Sequence, residues 1–287
     1  RTADDSAQDC TAMDLDRRLI GVTRAAEFVA AVPWWHVTED GSRLIAQCAQ
    51  DLLTLQPGAQ PAVRRWPHAL PDQAGALAAG KGRVAFVSGE LVIVADALDP
   101  ARRTITGTVA ADAERLAFDG TVLFAAASQR HGAVEPDRSP VLTAIDTADP
   151  SRPVVLARVP LEHDPACIVA GHGLVLVSTW GGILAYALRG RRSLLPVGTI
   201  AYDMPDGLAL RWPLLVVGGA TVFDVHSLSA PRVVAGLDLP SRPAACPLGA
   251  ICDAWPSATD VIWLGTVVHL IDGPRSDWAF DMRSAGR

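Results

Sequence analysis

Short polar segments of this sequence bring histidine, carboxylate and aromatic side chains together just before apolar stretches. Histidine and carboxylate groups are common ligands of divalent metals. Crowded carboxylates can serve as general acid and base, because like charges push their pKa values apart. Aromatic rings offer a stacking surface for a sugar or an organic cation. The candidate binding residues are Trp34, Trp35, His36, Glu114, His163, Asp164, Tyr202, Asp203, Asp206, Asp253 and Trp255.

The chemistry of this set stays open at the level of sequence. A metal site would draw on His36, His163 and Asp206, whereas polar residues that simply face water need no ligand. The serines at strand ends, Ser178 among them, lack the GxSxG surroundings of a hydrolase nucleophile. No glycine loop has phosphate-binding spacing. The sequence therefore assigns no catalytic residue.

These segments lie within an internal repeat of about 40 residues. Each copy holds short apolar strands punctuated by Gly, Asp or Pro; the clearest copy contains RVAFVS (Arg83–Ser88) and LVIVAD (Leu91–Asp96). Where an Asp closes the third strand, we expect its carboxylate to accept hydrogen bonds from the following turn. Steps of 40, 50, 40, 38 and 48 residues separate the residues expected to close the third strands, which are Gln56, Asp96, Asp146, Tyr186, Asp224 and Asp272.

Four short strands in each unit are the pattern of a β-propeller blade, because one four-stranded sheet cannot bury both of its faces alone. We expect an all-β fold, a β-propeller of about six four-stranded blades, with seven as the alternative. Residues 19–287 would form this single domain behind a flexible acidic leader, residues 1–18. One or two strands in Leu19–Val32 would complete the last blade or belong to a seventh.

Three segments of the chain resemble the LVIVD repeat: LVIVADALDP (Leu91–Pro100), LTAIDTADPSRP (Leu142–Pro153) and TVFDVHSLSAP (Thr221–Pro231). The LVIVD-repeat family occurs in bacterial, often exported proteins, and the resemblance covers roughly Leu44 to Asp272. It implies a β-propeller and an exported location, whether periplasmic, cell-surface or extracellular. It implies no defined reaction, so no catalytic residue is carried over to this chain.

In a propeller, the innermost strand of each blade lines a central channel. The segments that lead into these strands gather around the axis on one face, so we expect the candidate binding residues to share that face. These leading segments are Pro33–His36, Pro71–Asp72, Asp112–Arg115, Glu162–Pro165, Tyr202–Asp206 and Cys252–Trp255.

Two long excursions, Gln129–Pro140 and Pro240–Pro256, account for the two long steps of the repeat. Long loops in a compact fold are often functional. A disulfide between Cys246 and Cys252 would staple the second excursion, and five reduced thiols are the alternative. Cys167 lies in an apolar strand, and we expect a buried thiol outside any disulfide.

Charge and composition narrow the range of partners. The formal net charge of −6 disfavours nucleic acid, because phosphate binding needs clustered positive charge. No apolar run approaches the ~18 residues of a transmembrane helix. The repeat architecture, the absence of a catalytic motif and the resemblance to the LVIVD family together predict a non-enzymatic binding or scaffolding module without a cofactor, which engages a protein partner or a larger assembly through loops of one face. The alternative is a metal-assisted hydrolase or lyase with a divalent metal on the propeller axis.

Overall fold

The computed structural model confirms the all-β class over the part of the chain that it describes. Those residues are 36–40, 43–48, 51–56, 62–66, 70, 75–96, 106–129, 139–202, 207–217, 221–236, 259–264, 267–272 and 276–281. They form β-strands and the turns that join them. Within these ranges no helix has the length and hydropathy that a membrane crossing requires.

The described strands form six antiparallel sheets, one after another along the chain. The first sheet holds β1 (His36–Asp40), β2 (Arg43–Cys48), β3 (Asp51–Gln56) and β4 (Ala62–Trp66). The second holds β5 (Leu77–Gly80), β6 (Arg83–Ser88), β7 (Leu91–Ala95) and β8 (Thr106–Ala110). The third holds β9 (Arg115–Asp119), β10 (Val122–Ala127), β11 (Val141–Asp146) and β12 (Val154–Pro160).

The remaining sheets continue the pattern. The fourth holds β13 (Cys167–Gly171), β14 (Leu174–Thr179), β15 (Gly182–Arg189) and β16 (Ser193–Ile200). The fifth holds β17 (Leu208–Arg211), β18 (Leu214–Val217), β19 (Thr221–Asp224) and β20 (Arg232–Gly236). The sixth, as described, holds three strands: β21 (Thr259–Leu264), β22 (Val267–Asp272) and β23 (Ser276–Asp281).

Each sheet is a meander in which strands adjacent in sequence pair with one another. The first strands of successive sheets also lie beside one another, in the order β1, β5, β9, β13, β17 and β21, and β21 in turn contacts β1. This succession is consistent with sheets set radially around an axis, as in a β-propeller.

The core lies between neighbouring sheets. Side chains alternate across a strand, and β10 uses this alternation to fill two interfaces. Leu123 packs with residues of the second sheet such as Val92, and Phe124 packs with residues of the fourth sheet such as Val175. All four are fully or almost fully buried. Burial on both faces explains why the second and third strands of the repeat read as continuous apolar runs rather than alternating ones.

The predicted role of the strand-closing aspartates is confirmed at two positions. Asp146 Oδ1 accepts the N–H of Ala148 at 2.9 Å, and Asp224 Oδ1 accepts the N–H of His226 at 2.9 Å. Each carboxylate therefore closes a turn two residues further on. The His226 hydrogen bond and, after it, the Arg232 guanidinium hold the pKa of Asp224 below its ordinary value, although partial desolvation opposes them.

The turn after the third strand also packs against the preceding sheet. Gly107 in β8 lies directly under the turn between β11 and β12. A Cβ on Gly107 would clash with the Pro150 carbonyl oxygen and would lie 2.5 Å from Pro153 Cδ. Gly198 in β16 has the same relation to the next sheet, where a Cβ would lie 2.8 Å from the Leu228 carbonyl oxygen. Proline-containing turns of the repeat thus connect one sheet to the one before it.

Three details of the sequence interpretation need correction. It missed β1 as a strand, although His36 begins it. Tyr186 does not close its strand, because β15 continues to Arg189. Asp272 ends a strand as expected, but β22 is the second described strand of its sheet. The leader (1–18) and Leu19–Val32 lie outside the described residues, so the proposed domain boundaries stay predictions.

Candidate functional site

We call the edge at which the first strand of each sheet begins the upper edge, and the opposite edge the lower edge. In an antiparallel meander, the second strand and the fourth strand both end at the upper edge. The chain therefore leaves β10 at this edge toward the Gln129–Pro140 excursion, and leaves β20 at this edge toward Pro240–Pro256. The last described strands before the two long excursions, β10 and β20, therefore both end on the edge where the candidate binding residues were expected.

Glu114 lies at the upper edge of the third sheet, next to the start of the first excursion. Its N–H donates to the Ala126 carbonyl at 2.8 Å, which extends the pairing of β9 with β10 by one residue. Its carboxylate accepts the hydroxyl hydrogen of Ser128 at 2.5 Å. The side chain is therefore held in place by the residue that follows β10.

Asp164 connects the fourth sheet to the same point. Its Oδ1 accepts the N–H of Gln129 at 2.5 Å. Close by, Arg115 Nε donates to the Ala166 carbonyl at 2.7 Å, so the beginnings of β9 and β13 lie side by side. The first two residues after β10 are thus bonded to a carboxylate from each of two neighbouring sheets.

His163 packs on the tight turn between β14 and β15. A Cβ on Gly181 would lie 3.1 Å from His163 Cδ2, so the imidazole covers this glycine. Thr179 fixes the turn from inside: its Oγ1 accepts the Gly181 N–H at 3.2 Å and donates to the Gly182 carbonyl at 3.1 Å. The φ of +117° at Gly182 is one that only glycine adopts readily.

Trp180 stands at the tip of this turn with 70% of its surface exposed, the largest exposed fraction of any large hydrophobic side chain in the described residues. The turn beneath it is held by Thr179 and covered by His163. A large apolar ring on a fixed support is an unusual feature of a free surface, and such rings often mark binding sites.

The surroundings of this turn are acidic. Glu162 and Asp164 are exposed and flank His163, while Glu114 is half-buried. Within the described ranges none of the three carboxylates forms an ion pair. Burial raises the pKa of Tyr186, and the negative charge of Glu162 raises it further. The field of these carboxylates therefore favours a positively charged ligand.

The structure brings three of the predicted binding residues, Glu114, His163 and Asp164, to one junction between the third and fourth sheets. Tyr202 points elsewhere: its ring packs edge-on against Phe223 with centroids 6.0 Å apart, and its hydroxyl hydrogen-bonds to Thr221 at 3.3 Å. His36 begins β1, and its side chain lies outside the described part of the molecule, as do the following predicted residues: Trp34, Trp35, Asp203, Asp206, Asp253, Trp255, Cys246 and Cys252.

Among the described side chains, no three or more of His, Cys, Asp and Glu are placed so that they could hold one metal ion. Cys167 carries a thiol as expected, but it is only partly buried. Ser178, fully buried, accepts the Cys167 N–H at 2.8 Å and donates to the Cys167 carbonyl at 3.3 Å. The Ser178 hydroxyl therefore completes the pairing of two strands.

The sequence interpretation missed Trp180. Trp180 and Gly181 are the two residues of the turn, because β14 ends at Thr179 and β15 begins at Gly182. The available signal was a tryptophan directly after an apolar run and before two glycines, since a residue in a two-residue hairpin turn lies at the surface.

Comparison with known proteins supports the fold and nothing narrower. No protein-family model matches the sequence, and no curated protein matches it. Among solved structures, the computationally designed protein Ika8 superimposes with a TM-score of 0.52 at 10% identity, over 88% of this chain and 71% of its own. Apo AztD from Citrobacter koseri gives a TM-score of 0.52 at 11% identity, over 88% of this chain and 83% of its own. With the four-stranded antiparallel sheets, this likeness indicates a β-propeller-like fold.

Proposed function

We propose that this chain is an exported, non-enzymatic β-propeller of the LVIVD type that binds a protein partner through its upper edge. The observation that carries the proposal is the coincidence of features on that edge. The strands that precede both long excursions, β10 and β20, end there, and the exposed Trp180 lies on the same edge as Glu162 and Asp164. Export rests on the resemblance of the repeats to the LVIVD family.

The support for binding rather than catalysis comes from how the polar groups of the edge are used. The Glu114 carboxylate is bonded to the Ser128 hydroxyl, and Asp164 is bonded to the Gln129 amide. Each contact fixes the beginning of the first excursion. Polar groups that position the backbone of a long loop give a rigid base to a binding surface, which lowers the entropy cost of association.

The proposed propeller has six blades. In support of this number, β21 contacts both β17 and β1, as the first strand of a sixth blade would. Its sheet has three described strands, and we propose that Leu19–Val32 supplies the fourth and so joins the two ends of the chain. Deleting residues 1–18 should then leave the melting temperature unchanged. Deleting residues 1–32 should lower it by at least about 5 °C, since about 2–4 °C corresponds to each kcal/mol in domains of 150–250 residues.

A selection from a random peptide library, displayed on phage against the intact chain, tests the binding proposal. One variant replaces residues 128–140 with a Gly–Glu turn like that at Gly89–Glu90, which joins the equivalent strands of the second sheet. The control variant is His226→Ala, an exposed position on the lower edge. Thermal unfolding followed by circular dichroism confirms that both variants fold.

We expect the enriched peptides to lose affinity for the shortened variant and to keep it for His226→Ala. Peptides that bind the shortened variant unchanged but lose affinity for His226→Ala would place the binding surface on the lower edge and contradict the proposal. Failure to enrich any peptide over repeated rounds would count against a peptide-binding role altogether.

A further inference from the structure

The tip of the turn between β14 and β15 has the properties of a recognition element rather than of a simple connection. Trp180 projects from a turn that Thr179 holds from within, and His163 covers Gly181 on one side. A tryptophan on a support of this kind offers a large contact surface at little cost in side-chain entropy.

The charged residues on the same edge as the tryptophan indicate the charge of the ligand. Glu162 and Asp164 lie on either side of His163, whose ring contacts the residue next to Trp180. Both carboxylates are exposed, and within the described part of the chain neither has an ion-pairing partner. Arg115, at the start of β9, donates to the neutral Ala166 and Glu114 carbonyls and keeps its positive charge there. The three carboxylates of Glu114, Glu162 and Asp164 outnumber this one guanidinium, so these four side chains together carry a net negative charge.

We infer that Trp180, Glu162 and Asp164 form a recognition site for an arginine side chain of a basic peptide segment. The guanidinium stacks on the indole face, where the ring quadrupole attracts a cation. The carboxylates accept its N–H donors. Arginine fits better than lysine because its planar group can stack and hydrogen-bond at the same time. The inference rests on the proposed function of the upper edge and names the chemistry of its partner.

A neutral sugar is the strongest competing ligand for an exposed tryptophan with nearby carboxylates. Sugar recognition relies on several fixed hydrogen-bonding groups around the ring, whereas here Asp164 Oδ1 is already bonded to the backbone of Gln129. A carboxylate accepts hydrogen bonds from sugar hydroxyls as it does from a guanidinium, but the attraction between opposite charges is available only to the cation. Charge complementarity therefore favours the basic peptide.

Nuclear magnetic resonance of the intact chain with isotope-labelled tryptophan tests this inference. The chain has eight tryptophans, and the indole signal that disappears in Trp180→Phe identifies the relevant one. The probe is a blocked Gly–Arg–Gly–Arg–Gly peptide at millimolar concentration. The comparison probes are the same peptide with citrulline in place of arginine, its glutamate analogue, and a linear maltooligosaccharide.

We expect the Trp180 signal to shift saturably with the arginine peptide and not with the other probes. The affinity should fall about two- to five-fold in Glu162→Gln and in Asp164→Asn. In Trp180→Ala, which has no indole at this position, the affinity is measured from the resonances of the arginine peptide and should fall about five-fold. Asparagine at position 164 keeps an oxygen for the Gln129 amide, so the loop remains fixed. Glu90→Gln, in the equivalent turn of the second sheet, is the matched control and should bind as the unmodified chain does. Raising the salt concentration should weaken binding.

An equal response to the citrulline peptide, a response to the maltooligosaccharide, or no response to the arginine peptide would overturn the inference. These results leave the proposed function standing if the selected library peptides are neutral or acidic and still depend on residues 128–140. If no library peptide depends on that segment while the arginine peptide shifts Trp180 as expected, the proposed function fails and the arginine site survives as an isolated feature.

Discussion

Substituting alanine at Gly107 tests the docking of the repeat's proline turns on the preceding sheet. The added Cβ would meet backbone and ring atoms of the next sheet: the Pro150 carbonyl oxygen, Pro153 Cδ at 2.5 Å, and the carbonyl carbon of Ser151 at 2.8 Å. Because these neighbours are backbone or proline ring, they cannot rotate away. The turn must move as a unit, which loosens the contact between the second and third sheets.

Forced overpacking of this kind costs about 1–3 kcal/mol, which corresponds to a fall in melting temperature of about 2–12 °C at about 2–4 °C per kcal/mol. The matched control is Gly75→Ala, whose Cβ would lie at an ordinary 3.4 Å from the Val87 side chain. That variant should be neutral or slightly more stable, because alanine restricts the unfolded chain. Differential scanning calorimetry measures both. Equal melting temperatures for the two variants would refute the packing of the turn against Gly107.

Two further predictions concern ionisation. The side-chain and backbone hydrogen bonds from Ser151 hold the pKa of Asp149 below its ordinary value. Ser151→Ala removes the side-chain hydrogen bond and should raise the pKa of Asp149, which a carboxyl titration by nuclear magnetic resonance measures. An unchanged pKa would show that the Ser151 side chain does not lower it. The stability from this contact is present above the unfolded-state pKa and is lost as the pH falls through the folded-state pKa. Burial, and then Glu162, raise the pKa of Tyr186. The Tyr202→Phe variant leaves Tyr186 as the one tyrosine of the chain. In that variant, Glu162→Gln should lower the midpoint of the ultraviolet titration of Tyr186 but keep it above the ordinary tyrosine value, because burial remains. An unchanged midpoint would mean that Glu162 lies too far from Tyr186 to influence its pKa.

The sequence was sufficient where the determining interactions are local. Asp146 and Asp224 close turns two residues away, so their role can be predicted from the residue type and its place after an apolar run. The same locality explains why strand positions in the second to fifth sheets follow the repeat closely. Burial on both faces leaves continuous apolar runs that a single sequence displays directly.

The assignment of Tyr186 failed for a reason that involves two strands at once. A register shift lies between Ala185 and Tyr186 in β15, as one lies between Ala144 and Ile145 in β11. Aligned by these bulges, Tyr186 corresponds to Ile145, one residue before the strand-closing aspartate. The extra residue of each bulge lies in the fourth strand, Leu156 in β12 and Val197 in β16, so it leaves the count along β15 unchanged. The position equivalent to Asp146 is Ala187, which gives no turn signal, and β15 continues to Arg189 because it stays paired with β16 there.

The repeat was enough to predict that the candidate residues lie on one edge of the sheets, but not which contacts they make. The repeat placed Glu114, His163 and Asp164 on one edge, and the structure brings them to one junction. Glu114 is hydrogen-bonded to Ser128, and Asp164 is hydrogen-bonded to Gln129 across two neighbouring sheets. The spacing of residues in the sequence does not predict such pairs. Trp180 was missed because its exposure depends on packing of the turn beneath it by His163, a residue from a different segment.

Hydrogen–deuterium exchange of the intact chain with and without a library-selected peptide tests the binding role of the upper edge most directly. The prediction is slower exchange in the upper-edge segments 111–114, 161–166 and 179–182, with no change in the lower-edge turns 81–82, 120–121 and 172–173. Protection confined to the lower-edge turns or to the outermost strands would contradict the proposed binding surface.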